Sequence, residues 1–186
     1  ILKELRERNS LNTEEIEDVI WGNVTQVGEQ GGCLARSAVI AANYSESTPG
    51  LSINRFCASG LEAVNLATNQ VKGSAGNGYV AGGVEMMSRV PMGSDGAAIA
   101  VDPTLAMNSY FVPQGISADI LATKYGFSRD DVDAFAVESQ KRATYARKSG
   151  YFKKSIAPVK DQNNLNILEE DEHIRPETSM QSLGGL

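Results

Sequence analysis

The sequence has few of the residues that cross-link small proteins or bind metals. Of its 186 residues, only two are cysteine and one is histidine. Two cysteines provide neither a disulfide framework nor the usual spacing of metal ligands. We therefore predict no metal site and no permanently bound cofactor, and a reducing compartment, the cytoplasm, as the location.

The sequence also lacks an excess of positive charge and a long apolar run. Its 17 Lys and Arg residues are outnumbered by 23 Asp and Glu residues, which gives a net charge of -6. Nucleic-acid binding needs clustered cations, so DNA and RNA are not predicted partners. No apolar stretch approaches the roughly 20 residues of a membrane span, so a membrane is not predicted either.

Strand and helix patterns alternate in the first 83 residues. Strands are predicted at residues 19–24, 51–54 and 79–81, and helices at residues 32–43 and 58–72. In the second of these helices, Leu61, Val64, Ala67 and Val71 share one face, and Gly73 follows as the C′ residue. This order of elements predicts a layered α/β unit with parallel strands.

The second half of the chain has a different character. Residues 95–113 show little periodicity and are predicted to be irregular. Ser117 is predicted to cap a helix ending near Gly126, and Ser128 to cap a longer one. Residues 1–8 have the pattern of an amphipathic helix without a preceding cap, so we expect the chain to be a segment of a longer polypeptide.

Cys57 lies between a predicted strand and the long helix that follows it. A free cysteine among apolar residues is most often inert packing. At a helix start, however, unpaired amide groups and the helix dipole favour an anion and can stabilise an oxyanion. The residues that follow, Ala58, Ser59 and Gly60, are small enough for close approach of a substrate, but they equally suit tight helix packing. These residues leave both interpretations open.

A nucleophilic Cys57 would need a base. A helix terminus contributes only about 0.3–1 kcal/mol to an anion, up to ~2 kcal/mol in buried geometry. The single histidine, His173, lies in the acidic run of residues 169–173, which favours a solvated loop. We therefore expect the base to lie outside this chain.

Two motifs at a specific separation resemble the thiolase family, the acetyl-CoA acetyltransferases and 3-ketoacyl-CoA thiolases. They are NRFCASGL, residues 54–61, and GGVEMMSRVP, residues 82–91. Residues 19–24, 115–119, 128–143 and 171–175 also resemble thiolase segments. The resemblance implies a thiolase-like layered fold, the N-terminal half of such a subunit with a mixed, mainly parallel sheet. It places that half-domain at residues 1–94 and an inserted α-rich loop domain, which holds coenzyme A, at residues 95–186.

The resemblance also implies the function and its residues. Cys57 would attack an acyl thioester, carry the acyl group and contribute its backbone N–H to an oxyanion hole. Arg175 and Ser182 match positions near the CoA nucleotide, and Leu105 matches a position along the pantetheine channel. Arg175 as a cation in an acidic loop and Leu105 as loop packing are the alternatives. CoA or acyl-CoA is then the substrate, and a homodimer or tetramer is expected for the complete protein.

Some features depart from the family pattern. Pro113 and Gln114 replace the His-Met pair of many biosynthetic members, so the acyl-chain preference is not implied. The Gly-His-Pro, Asn-Glu-Ala-Phe and second-cysteine motifs are absent, and Cys33, at the start of another helix, favours a packing or partly exposed thiol. We expect this segment alone to be inactive. A decarboxylating ketosynthase relative and a thiolase-like module that binds or transfers acyl-CoA without turnover remain the alternatives.

Overall fold

The computed structural model describes the whole chain, Ile1–Leu186, as two compact units, Ile1–Ser109 and Tyr110–Leu186. The first unit contains α1 (Leu2–Asn9), β1 (Asp18–Gly22), α2 (Leu34–Ala41), β2 (Gly50–Ile53), α3 (Ser59–Lys72), β3 (Tyr79–Gly83), α4 (Ala98–Val101) and α5 (Pro103–Ser109). The second contains α6 (Gln114–Tyr125), α7 (Arg129–Lys148), β4 (Val159–Lys160), β5 (Asn166–Leu168) and α8 (Met180–Leu183). The domain division expected from the sequence, after residue 94, stays a prediction.

The first unit is built on a three-stranded parallel sheet in the order β2-β1-β3. Ile20 of β1 lies opposite Leu51 of β2 and Ala81 of β3. Because strand side chains alternate between faces, β1 contributes to two apolar clusters. Val19 and Trp21 lie in the cluster with residues of α1 and α2, and Ile20 lies in the cluster with residues of α3. The sheet therefore has helices on both faces, which confirms the predicted α/β fold class.

The packing side of α3 consists of small residues. Ser59, Ala63 and Ala67 are its buried positions, and small side chains let a helix lie close to a sheet. Of the predicted stripe, only Ala67 is buried, while Leu61, Val64 and Val71 are 65%, 47% and 47% exposed. Leu61, Val64 and Val71 thus face largely away from the sheet, whereas Leu66 packs against the cluster that contains Ile20.

The prediction for the residues after this helix needs one correction. Gly73 follows α3 but has an ordinary φ of −79°. The left-handed conformation occurs one residue later, at Ser74, with φ 57°. Glycine is the usual residue in the left-handed conformation at C′, but in this helix Ser74 adopts that conformation instead of Gly73.

Two further predictions about helices are wrong. The segment predicted to be irregular contains α4 and α5, the second of which starts at Pro103 after Asp102 accepts the Leu105 N–H at 2.9 Å. Ser117 does not cap α6 but lies inside it, because the helix begins three residues earlier, after Pro113. The predicted end at Gly126 is confirmed by its left-handed φ of 71°.

The second unit is organised around α7. The predicted Ser128 cap is confirmed, and it forms a capping box with Asp131. The residues that follow α7 include a two-stranded antiparallel pair, β4 with β5. Asp133 is the one buried residue of this unit. Its two carboxylate oxygens share the Arg129 Nε–H, each at 2.9 Å from the nitrogen. No helix of either unit is long and apolar enough to cross a bilayer.

Candidate active site

Cys57 lies in the turn that joins the end of β2 to the start of α3, and its side chain is exposed. The carboxyl ends of parallel strands form one edge of a sheet, and ligand sites of open α/β sheets lie along that edge. The residue is therefore placed where a nucleophile can meet a substrate. It is not part of either apolar cluster, so the interpretation of Cys57 as a core residue of this chain is not supported.

The turn before the cysteine has a strained backbone that its neighbours hold in place. Phe56 has a φ of 47°, a left-handed conformation that is costly for a residue with a large side chain. Its N–H donates to Asn54 Oδ1 at 2.8 Å. The Ser59 hydroxyl donates to the Phe56 carbonyl at 2.6 Å and accepts the Arg55 N–H at 2.8 Å. The Cys57 N–H takes part in none of these bonds.

The start of α3 carries no side-chain cap. Its N-cap residue is Ala58, which has no polar side chain to occupy the amide groups of the first turn. Two amides here are already occupied, because the Ala58 N–H donates to the Arg55 carbonyl at 3.1 Å and the Ser59 N–H to the Phe56 carbonyl at 2.9 Å. Both roles that the sequence predicts for Cys57 stay predictions.

Gly22 lets α3 approach the sheet. A Cβ on this residue of β1 would lie 2.5 Å from the Ser59 carbonyl carbon and 2.6 Å from the Gly60 nitrogen. These are backbone atoms, so a larger residue would displace the helix start. By contrast, a Cβ on Gly60 would meet nothing within 4 Å. The space beside the first turn of α3 is therefore open on its outer side.

A carboxylate organises the loop after β1. Glu85 Oε1 accepts hydrogen bonds from Asn23 Nδ2 at 3.1 Å, from the Thr25 N–H at 3.2 Å and from the Val24 N–H. Its Oε2 accepts from Gln30 Nε2 at 3.0 Å. Partial burial raises the pKa of the Glu85 carboxyl, but these hydrogen bonds together outweigh that effect and hold its pKa below the ordinary value. The residue is ionised near neutral pH.

Glu85 lies within the motif of residues 82–91, but the sequence alone predicts no role for it. Its partners lie 55 to 62 residues away along the chain, so no local spacing connects them. One signal was present: Asn23 and Thr25 are polar residues directly after a buried strand, a position that usually serves a site or a turn.

The residues predicted to contact CoA lie in exposed parts of both units. Leu105 is on α5 of the first unit, and Arg175 and Ser182 belong to the second. The Arg175 N–H donates to Gln140 Oε1 at 2.7 Å, and its guanidinium group forms no ion pair. The Ser182 hydroxyl forms a capping box with Ser179. All three roles stay predictions.

The remaining candidate groups lie outside this turn. His173 is exposed and its N–H donates to Asp171 Oδ1 at 2.7 Å. The Cys33 thiol is exposed and donates to the Gly50 carbonyl at 3.2 Å. No group of three or more metal-binding side chains forms anywhere in the chain.

Two surface grooves lie in the second unit. One has a volume of about 220 Å³ and is lined by Phe135, Glu138, Ser139 and Arg142. The other has a volume of about 360 Å³ and is lined by Ile116, Asp119, Ile120, Thr123 and Lys124. Neither is lined by Cys57 or by a predicted CoA contact. The geometry of the cysteine turn, rather than an enclosed cavity, therefore defines the candidate site.

A parallel sheet between helices, with an exposed cysteine at the turn into a helix that no side chain caps, places the chain among layered α/β proteins. The sequence profile described as "Thiolase, N-terminal domain" matches residues 1–186, and the chain belongs to the thiolase family.

Several curated proteins are similar over the whole chain. A "3-ketoacyl-CoA thiolase" of Colwellia psychrerythraea is 36% identical over 192 residues, which is 100% of this chain and 49% of the relative. A protein of the same name from Shewanella sp. strain MR-7 is 39% identical and is covered to 49%. The "3-oxoadipyl-CoA/3-oxo-5,6-dehydrosuberyl-CoA thiolase" of Escherichia coli K12 is 37% identical over 205 residues and is covered to 51%. The chain thus spans about half the length of these relatives.

Proposed function

We propose that this chain supplies the nucleophile of an acyl-CoA C-acyltransferase, a thiolase that forms or cleaves 3-ketoacyl-CoA. The observation that carries the proposal is the exposed thiol of Cys57 in a hydrogen-bonded turn before an uncapped helix. Family membership and the names of the relatives support the reaction class. No observation favours the ketosynthase or the binding module.

In the proposed reaction, the Cys57 thiolate attacks the carbonyl carbon of an acyl thioester. The carbonyl oxygen becomes an oxyanion, to which the Cys57 N–H and the helix start donate. The carbon–sulfur bond to CoA then breaks, CoA leaves as a thiolate and the acyl group stays on Cys57. The second half of this ping-pong cycle passes the acyl group to an acetyl-CoA carbanion, or to CoA in the direction of cleavage.

The remaining parts of the proposal concern the complete protein. Arg175 and Ser182 would contact the CoA nucleotide, and Leu105 would line the channel of its pantetheine arm. CoA and acyl-CoA act as substrates without a permanently bound cofactor. A homodimer or tetramer in the cytoplasm agrees with the family and with the acidic, cysteine-poor composition. The Gly-His-Pro and second-cysteine motifs are absent from these 186 residues, so we propose that the chain is inactive alone.

The experiment is acylation of the complete protein with acetyl-CoA followed by peptide mass spectrometry. We expect one acetyl group on Cys57, because this thiol is exposed in the turn before a helix that no side chain caps. The matched control is Cys33, the other exposed thiol, which also lies at the start of a helix without a side-chain cap but whose thiol donates to the Gly50 carbonyl. The variant Cys57→Ala should abolish acetylation, and Cys33→Ala should preserve it. Acetyl transfer to another residue, or to none, contradicts the proposal.

A further inference from the structure

The carboxylate of Glu85 and the turn that carries Cys57 are connected by hydrogen bonds through one residue, Val24. Glu85 Oε1 accepts the Val24 N–H, and the Val24 carbonyl accepts Asn54 Nδ2 at 3.3 Å. Asn54 Oδ1 in turn accepts the N–H of Phe56, the residue before the cysteine. Each link joins groups that are far apart in sequence or that belong to the turn itself.

Two further contacts hold the ends of this connection. The Asn23 N–H donates to the Ile53 carbonyl at 2.9 Å, which fixes the last residue of β2 beside the loop. Asn23 Nδ2 donates both to Glu85 Oε1 and to the Val84 carbonyl at 3.1 Å. Asn23 is 1% exposed, and the two bonds of its side chain are partly buried. The loop is therefore held from both sides.

We propose that Glu85 is a positioning residue for Cys57, acting through Val24 and Asn54 on the left-handed turn at Phe56. The inference rests on the proposed function. An ionised carboxylate that accepts four hydrogen bonds is a rigid anchor. The conformation at Phe56 is costly for its side chain and persists because its surroundings fix it. The carboxylate thus determines where the thiol lies relative to the amides of α3.

The test compares four variants of the complete protein: Glu85→Ala, Glu85→Gln, Asn54→Ala, and the double variant of Glu85→Ala with Asn54→Ala. Two quantities are measured. The first is kcat and KM for thiolysis of acetoacetyl-CoA. The second is the rate at which iodoacetamide alkylates Cys57 relative to Cys33, read by mass spectrometry. The second readout needs no turnover, so it tests positioning even if the proposed reaction is wrong.

We expect Glu85→Ala and Asn54→Ala each to lower kcat by about 10- to 100-fold, the effect typical of a misplaced reacting group. The KM for acyl-CoA should change by less than about twofold, since most substrate binding energy comes from groups away from the reacting atoms. The alkylation rate of Cys57 should change in both variants while that of Cys33 stays constant. Glu85→Gln should be closer to wild type, because its amide oxygen can still accept from the loop after β1.

The double variant is decisive. Both substitutions interrupt the same series of bonds. The kcat of the double variant should therefore be no lower than that of the less active single variant. A matched control is Glu29→Ala, which removes a carboxylate whose ion pair with Arg89 is exposed. It should match wild type in both readouts.

Two results overturn the proposal. One is multiplication of the two single effects in the double variant, which means that the residues act independently. The other is a folded Glu85→Ala variant with the wild-type kcat and the wild-type Cys57 alkylation rate. If Glu85→Ala does not fold, Asn54→Ala and Glu85→Gln decide by the same readouts. A wild-type protein that never acylates Cys57 overturns the proposed function, whereas the alkylation rates still judge the positioning role.

Discussion

At the scale of single residues, the cysteine turn has a left-handed backbone position and is connected by hydrogen bonds to a charged side chain. Phe56 holds a left-handed φ, and Glu85 holds a negative charge on four hydrogen bonds. A left-handed conformation of this kind costs on the order of 1–3 kcal/mol, so it needs support from its surroundings. Asn54 Oδ1, which accepts the Phe56 N–H, and the Ser59 hydroxyl, which donates to the Phe56 carbonyl, supply that support.

The charge of Glu85 predicts how its contribution to stability depends on pH. Its pKa is lower in the folded chain than its ordinary value of 4.5. Because the folded-state pKa is depressed, the ionised carboxylate stabilises the fold when the pH is above the ordinary pKa. This contribution is lost as the pH falls through the lower folded-state pKa. Glu85→Gln carries no charge at any pH, so it lacks this dependence.

We therefore expect the difference in unfolding free energy between wild type and Glu85→Gln to be constant from pH 7 to about pH 5 and to shrink below pH 4.5. The measurement is urea unfolding at a series of pH values, followed by the fluorescence of Trp21. This residue is the only tryptophan and lies in β1, next to the loop that Glu85 holds. A difference that grows as the solution becomes more acidic would contradict the assignment.

At the scale of elements, the approach of α3 to β1 is set by a glycine. Gly22→Ala places a Cβ against the backbone of Ser59, so the first turn of α3 must move. We expect a loss of about 1–3 kcal/mol in stability, as for other overpacked positions. We also expect slower acylation of Cys57, because the turn moves with the helix.

The matched control on the facing element is Gly60→Ala. The added Cβ meets nothing within 4 Å, and alanine favours a helix over glycine by about 1 kcal/mol. Stability followed by Trp21 fluorescence should therefore rise or stay the same in Gly60→Ala and fall in Gly22→Ala. Equal effects of the two substitutions would show that helix propensity, not the close approach, governs this contact.

Much of the first unit could be predicted from the sequence, because local patterns determine its elements. The β-branched run at the centre of the sheet and the strand-to-helix junction at Cys57 both depend on neighbouring residues. The packing side of α3 could not be predicted, since periodicity gives an apolar face but not which face meets the sheet. Leu61 and Val64 are more hydrophobic than Ala63 and Ala67, yet the two alanines are buried against the sheet because their small side chains allow close packing.

The site was predictable only where it is local. The helix start at Cys57 follows from local residues and its nucleophile role was predicted from the resemblance, whereas the hydrogen bonds of Glu85 involve partners about 60 residues away. The start of α5 had a usable signal, the Asp102-Pro103 pair, because aspartate caps helices and proline suits the first helical position. The periodic pattern of α5 is weak, because the helix is short and scattered glycines precede it.

At the scale of the whole molecule, the two units differ in how much apolar surface they bury. Every buried hydrophobic side chain belongs to the first unit. In the second unit the only buried residue is Asp133, and Phe135 on the same helix is 79% exposed. Burial of apolar area is the main source of stability, so the helices of the second unit depend mostly on capping and local pairs.

This difference predicts that the two units unfold at different urea concentrations. Trp21 reports only the first unit, whereas far-UV circular dichroism also detects α6 and α7, which contain 12 and 20 residues. We expect the dichroism at low urea to lose the signal of these two helices while Trp21 fluorescence is unchanged, and the rest to follow in a second, cooperative step. Ser128→Ala, which removes the cap of α7, should shift the first step to lower urea and leave the second in place, since capping contributes about 1 kcal/mol to a helix. Coincident transitions in wild type, or a shift of both steps in Ser128→Ala, would mean that the chain folds as one cooperative unit.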